Sequence, residues 1–163
     1  MKLIFTEINA AAKIEDIHKF EREFNIKLPQ SYKKFLLDVN GGKPTTLMRY
    51  KTNTEIWGDI SIYTFESLEE MKKSLIYLNK SPENNYYLEE SMKKGVLIIA
   101  LEGLSEISIG IKENNLGKVY MSNFTENIDL ELISESFEAF INGFEYYDGI
   151  SKEEIEELEY LKN

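Results

Sequence analysis

His18 is the single histidine of the chain, and there is no cysteine. Those two counts remove much of the chemistry that side chains perform. A zinc site draws on several His and Cys ligands. A Ser-His-Asp triad needs its histidine beside a serine and an orienting acid. His18 sits in IEDIHKFEREF with no second histidine at metal-ligand spacing, so it reads as a helix-surface or helix-edge residue. The lack of cysteine excludes a disulfide scaffold and a thiol nucleophile. Gly41-Gly42 is not a phosphate loop: no Gly-Lys-Ser/Thr follows, and the pair closes a helix rather than opening one. Gly103-Leu104-Ser105 has Ile107 where a nucleophile elbow carries its second glycine. Glu69-Glu70 and Glu89-Glu90 are adjacent pairs, and neighbours on a helix diverge instead of converging on one substrate. Asp129 and Glu131 lack the spacing of a calcium loop. No catalytic, cofactor-binding or metal-binding residue is assigned, and no cofactor is expected.

What remains is a surface chemistry of charge and aromatic rings. The net charge is −10, and its placement along the chain is uneven. Residues 1–118 carry 17 acids and 17 bases, whereas residues 119–163 carry 12 acids and two bases, Lys152 and Lys162. The C-terminal quarter thus holds the whole imbalance. An acidic field repels nucleic acid and steers basic partners inward. No phosphate-neutralising patch stands out, so nucleic-acid binding is not expected. Two readings of the acidic quarter stay open: a solvated helix surface, or a binding face for a basic partner. For the second, the candidate contacts are Glu126, Asp129, Glu131, Glu135, Glu153, Glu154, Glu156 and Glu157, with Tyr146, Tyr147 and Trp57 as aromatic anchors. For Trp57 a core position at a strand start is the stronger reading, ahead of an interface anchor. One tyrosine of the 146–147 pair fits burial at a helix end.

The elements that must position these residues can be read from periodicity. At 163 residues and 42% hydrophobic content, the chain suits one domain spanning 1–163. It has no apolar run long enough for a membrane span. The start, MKLIFTEINAAAK, does not read as a signal peptide, and the cytoplasm is the expected compartment. Ile14, Ile17, Phe20 (or Glu21) and Phe24 trace the stripe of a helix over 10–24. NIKLP breaks it, and Pro29 suits the first turn of a second helix. Tyr32, Phe35, Leu36 and Val39 stand at i, i+3, i+4 and i+7, one buried face. Asn40-Gly41 ends that helix.

The middle of the chain is strand-like. Residues 46–50 are a weak strand candidate, and 57–64 alternate through Ile60 and Ile62. Ser67 and Glu70 form a capping box for a helix over 68–79, with Met71, Leu75 and Leu78 inward. Residues 80–94 look irregular, with a helical turn near YYLEESM. GVLIIAL at 95–101 reads as a central strand covered on both faces. Ile107, Ile109 and Ile111 mark the next strand, ENNLG a hairpin turn, and KVYM the return, giving a three-strand meander. Phe137, Phe140, Ile141 and Phe144 are spaced as one helical face. A last helix starts at Ser151, capped by Glu154, with Ile155 and Leu158 inward.

The run Ile14-x-x-Ile17, Glu21-x-x-Phe24-x-Ile26-x-Leu28-Pro29-x-x-Tyr32-x-x-Phe35-Leu36, Asn40-Gly41-Gly42-x-Pro44 resembles the pattern of the SUKH superfamily. That group includes the yeast cell-wall assembly regulator and bacterial immunity proteins of polymorphic toxin systems. GVLIIAL, Glu102-Gly103, ISIGI at 107–111, Gly117-Lys118-Val119-Tyr120 and the segment Ile133–Phe144 follow in the superfamily's order. The resemblance covers about residues 12–145, with 146–163 a helical extension. LEGLSE departs from the superfamily's usual residues after the central strand. The resemblance implies an α+β fold, a mostly antiparallel curved sheet with helices packed around it, an N-terminal helix pair and C-terminal helices. It also implies a non-enzymatic protein that binds and neutralises a cognate toxin, many such toxins being nucleases. The acidic charge adds the expectation that this toxin, a nuclease or a deaminase, has a basic surface; the free protein is expected to be a monomer. The alternative it leaves open is a regulatory or scaffold module like the cell-wall regulator.

Overall fold

The structure, a computed structural model, describes residues 3–52, 54, 58–80, 86–123 and 129–160. Strand β1 (Phe5–Ile8) is followed by helices α1 (Ile14–Phe24) and α2 (Gln30–Asp38). Four short strands come next: β2 (Gly42–Pro44), β3 (Met48–Lys51), β4 (Asp59–Ile60) and β5 (Thr64–Phe65). Helices α3 (Leu68–Lys80) and α4 (Tyr86–Lys94) lead into strands β6 (Val96–Glu102), β7 (Ser105–Gly110), β8 (Val119–Asn123) and β9 (Glu131–Ser134). The chain closes with α5 (Phe137–Asn142), β10 (Phe144–Tyr146) and α6 (Lys152–Tyr160). A large sheet has the order β1-β2-β5-β6-β7-β8-β9, and a small one β10-β3-β4. Their pairings are antiparallel. The α+β architecture expected from the sequence is the one the chain adopts.

The N-terminal corner shows why its motif residues are needed. Asn25 takes the left-handed conformation (φ 51°) that caps α1, and the Ile26 N–H donates to the Glu21 carbonyl at 3.0 Å. The Glu21 carboxylate accepts from the Leu28 N–H at 2.8 Å and pairs with Lys33 at 2.7 Å, so a nearly buried acid is fully met. Pro29 stands just before α2 as its N-cap, one position earlier than expected. Tyr32, Phe35, Leu36 and Val39 are all buried, as their spacing predicts. Helix α1 starts at Ile14, four residues later than expected, and Ile14 itself is exposed on that first turn.

Asn40 joins three segments. Its amide donates to the Ala10 carbonyl at 2.8 Å and its side-chain oxygen accepts from the Leu68 N–H at 3.0 Å, the first residue of α3. Gly41 and Gly42 both have positive φ, and a Cβ on Gly42 would overlap the Glu7 carbonyl. The Asn-Gly-Gly motif is therefore a junction of backbone segments.

Aromatic rings link the second helix to the C-terminal elements. Tyr32 meets Phe137 edge-on at 4.9 Å, Phe137 approaches Phe140 at 6.5 Å, and Phe140 packs on Phe144 at 5.2 Å. Tyr50 of β3 closes the row against Phe140 at 4.8 Å and donates its hydroxyl to the Ile133 carbonyl at 2.9 Å. Each such ring contributes about 2–3 kcal/mol by burial and holds the small sheet to the large one.

Four expectations are corrected. Phe144 lies on β10, not on the preceding helix; α5 ends at Asn142, and the Tyr50 ring occupies the space a side chain at Gly143 would need. The 57–64 stretch is split between sheets, β4 in the small one and β5 in the large one, although Ile60 and Ile62 are both buried. The 80–94 stretch holds a nine-residue helix, α4, packed along β6. The meander has four strands, because β9 pairs with β8. The capping box of Ser67 and Glu70 forms as expected, with Met71 and Leu75 buried; the Leu78 side chain lies outside the described residues.

Candidate partner-binding surfaces

The small sheet gathers charge around Arg49. From β3 its guanidinium reaches Asp59 of β4 at 2.5 Å and Asp148, just past β10, at 2.8 Å. The guanidinium carbon stands 4.9 Å from the centre of the Tyr147 ring, a cation–π contact. The Tyr147 hydroxyl shares a short hydrogen bond with the Ser61 hydroxyl, and the Tyr147 N–H donates to the Leu47 carbonyl at 3.0 Å. Burial works against the Arg49 charge, but its hydrogen bond to the Asp148 carboxylate and the charges of Asp59, Asp148 and Glu145 outweigh it and raise its pKa. Alongside, Lys51 pairs with Glu145 at 2.6 Å, and this hydrogen bond and charge lower the Glu145 pKa. Tyr146 is half-buried against the core, opposite Met48 in the strand register. Neither tyrosine sits at a helix end.

Helix α6 carries the second acidic face. Ser151 and Glu154 form the expected capping box: the Glu154 carboxylate accepts from the Ser151 N–H and hydroxyl at 2.9 and 2.8 Å. Those bonds lower the Glu154 pKa. Leu158 buries itself in the core and Ile155 is half-buried, which turns Glu153, Glu156 and Glu157 to solvent. Among the described residues none of these three has an ion-pair partner.

The remaining predicted contacts scatter. Asp129 is exposed, and Glu131 lies on the edge strand β9 with one carboxylate oxygen buried and without a hydrogen-bond partner among the described residues. Glu135 is paired with Lys118 at 3.1 Å. Glu126 and Trp57 lie outside the described residues. The expected contact face therefore falls into three places: the β9 edge, the small sheet and α6.

Two features escaped the sequence reading. Arg49 carried no local signal, because its partner Asp148 is 99 residues away. Glu106 alternates with the isoleucines of β7, a position that ordinarily faces water, yet all six residues of the strand are buried. Burial pushes the Glu106 carboxyl up to about 7. A separate cavity of about 340 Å³ between α2 and α5 is lined by Phe35, Phe137 and Ile141 with Lys34, Asp38 and Glu138 at its edge. Among the described residues no group of three or more His, Asp or Glu could hold a metal, and no helix is long and apolar enough to cross a membrane. His18 is exposed on α1.

An antiparallel sheet with helices packed against it and a small second sheet define the class, an α+β domain, whose surface carries charge and aromatic rings. The chain belongs to the SMI1 / KNR4 family (SUKH-1), whose family model matches residues 11–143. Strands β1 and β10 and the acidic helix α6 lie outside the matched residues. A comparison with curated proteins finds no match.

Proposed function

We propose that the chain is a non-enzymatic immunity protein that binds a cognate toxin domain and occludes its active site. The reading is supported by family membership and carried by one observation, the uncompensated carboxylates of Glu153, Glu156 and Glu157 on a helix anchored by Leu158. Enzymes that act on nucleic acid, nucleases and nucleic-acid deaminases among them, present cations to phosphates. An acidic surface held on a rigid element meets those cations and excludes the substrate. The aromatic and charged small sheet is a second contact surface, Tyr147 being the ring most suited to it.

The test is co-expression with the toxic domain encoded beside this chain, scoring survival and co-purification. Rescue together with a stable complex supports the reading. Survival without a complex, or neither, sinks it for that pair. Charge reversal of Glu153, Glu156 and Glu157 to lysine should then slow association about tenfold or more at low salt. Glu154 is left out, because its carboxylate caps α6. Unchanged association kinetics would move the contact face elsewhere.

A further inference from the structure

Glu106 is 5% exposed, and its carboxyl makes no hydrogen bond or ion pair with a described residue. A buried carboxyl without a partner is costly to keep. The contrast within the molecule is direct: Glu21, nearly as buried, is met by a backbone N–H and by Lys33. Glu106 instead lines a cavity of about 210 Å³ between α3 and strands β6 and β7. Glu66, in the turn leading into α3, is the second acid of the lining, and Ser74 adds a hydroxyl. Met71, Ile98 and Leu101 supply apolar walls. Among the described residues no lysine, arginine or histidine lines the space.

The chemistry of this lining selects its ligand. Two carboxyl groups call for positive charge. A calcium or magnesium ion completes its shell with further oxygens or several waters, whereas most of this lining is apolar and suits the methylene groups of an organic cation. The volume lies below that of sites for drug-sized ligands, so one side chain fits and a nucleotide does not. Leu101, at the lining, accepts a backbone hydrogen bond from Tyr63 at 2.8 Å, and the Tyr63 ring is 67% exposed. Leu104, in the β6–β7 turn, is 83% exposed. Exposed apolar side chains on the segments that adjoin the pocket's strands are what a protein contact covers.

We propose that this cavity receives the cationic head of an arginine or lysine side chain of a protein partner, set between Glu66 and Glu106 with its methylenes against Met71, Ile98 and Leu101. The cation site stands without the immunity reading; its assignment to a partner protein rests on it. Burial raises the pKa of Glu106, and burial together with the Glu70 charge raises that of Glu66. The cation binds the ionised acids, so its entry releases a proton to solvent and its affinity rises with pH through about 7.

The test is a titration of ¹⁵N-labelled protein with n-butylguanidinium and with its neutral isostere n-butylurea. At about pH 8 the cation should give saturable shifts at the Ile98, Leu101 and Glu106 amides, and the urea none. Glu106→Gln, or a fall to about pH 5.5, should weaken the cation about tenfold or more. Glu66→Gln gives a second readout should Glu106→Gln fail to fold. Equal binding of the urea, or affinity unchanged in the folded variants, overturns the site. This titration needs no toxin, so it reads out even where the co-expression test fails. A glycine-serine peptide with one central arginine that binds as tightly as free agmatine, or more tightly, supports a protein source. Agmatine binding about tenfold tighter than the peptide overturns that source.

Discussion

Glu145 and Asp148 lie against Lys51 and Arg49 in the small sheet, whereas Glu153, Glu156 and Glu157 on α6 face no cation among the described residues. Both groups belong to the acidic C-terminal quarter, and along the chain they look alike. In space they differ. The first is returned to balance by bases from the charge-neutral part of the chain, and Glu135 is treated likewise by Lys118. The second is left open. Charge that is already neutralised at contact distance projects little field beyond it, so the field reaching out from this quarter comes mainly from α6. The small sheet holds instead a partly desolvated cluster in which the Arg49 guanidinium is met by two carboxylates and the Tyr147 ring.

The comparison can be broken most decisively at the anchor of the small sheet. Phe144→Ala removes a fully buried ring that packs on Phe140 and Tyr50. It should lower stability by about 3–5 kcal/mol in chemical denaturation; a loss under about 1 kcal/mol would mean that the small sheet is not tied to the core.

An acid left unpaired inside the molecule extends the comparison inward. The Glu106 carboxyl is raised from about 4.5 to about 7 by burial. Between those pH values the folded protein keeps a proton that the unfolded chain has released, so stability is present below the window and is lost as pH rises through it. Glu106→Gln should therefore stabilise on the order of 2–3 kcal/mol at about pH 8 and change little at about pH 4.5. A pH-independent effect would count against the burial of this group.

Helix α6 has its own internal control. Ser151→Ala deletes the hydroxyl that caps the Glu154 N–H and should cost about 1 kcal/mol, read by helical signal and denaturation. Glu156→Gln and Glu157→Gln, on the open face, should stay within about 0.5 kcal/mol while reducing the salt dependence of partner association. Arg49→Ala should lower the melting temperature by more than either of them, because it removes a nearly buried side chain that joins Asp59, Asp148 and the Tyr147 ring. If the three variants melt alike, the distinction between the compensated and open patches fails.

Much of the fold was legible because its signals are local. The spacing of Tyr32, Phe35 and Leu36, the two capping boxes and the alternation of Ile107 and Ile109 each act within one or two turns or strand repeats, and each formed where expected. The Asn-Gly-Gly motif marked a helix end in the sequence, but its reach to Ala10 and Leu68 did not show there. Phe144 was misplaced because its i+7 spacing fits a helix as well as a strand that begins two residues after one. The candidate surfaces were legible only as composition, which ranked Glu135 and Glu157 as equals.

By itself the sequence determined the superfamily pattern, the antiparallel α+β class and an acidic excess confined to the last quarter. Those properties follow from residue type and short-range periodicity, which need no knowledge of distant neighbours. The tertiary structure alone decided which acids remain free. It placed Asp148 on Arg49 across 99 residues, paired β10 with β3, and enclosed Glu106 between strands and α3. Coulomb interaction and desolvation act over a few ångströms of space, and separation along the chain carries no information about that distance.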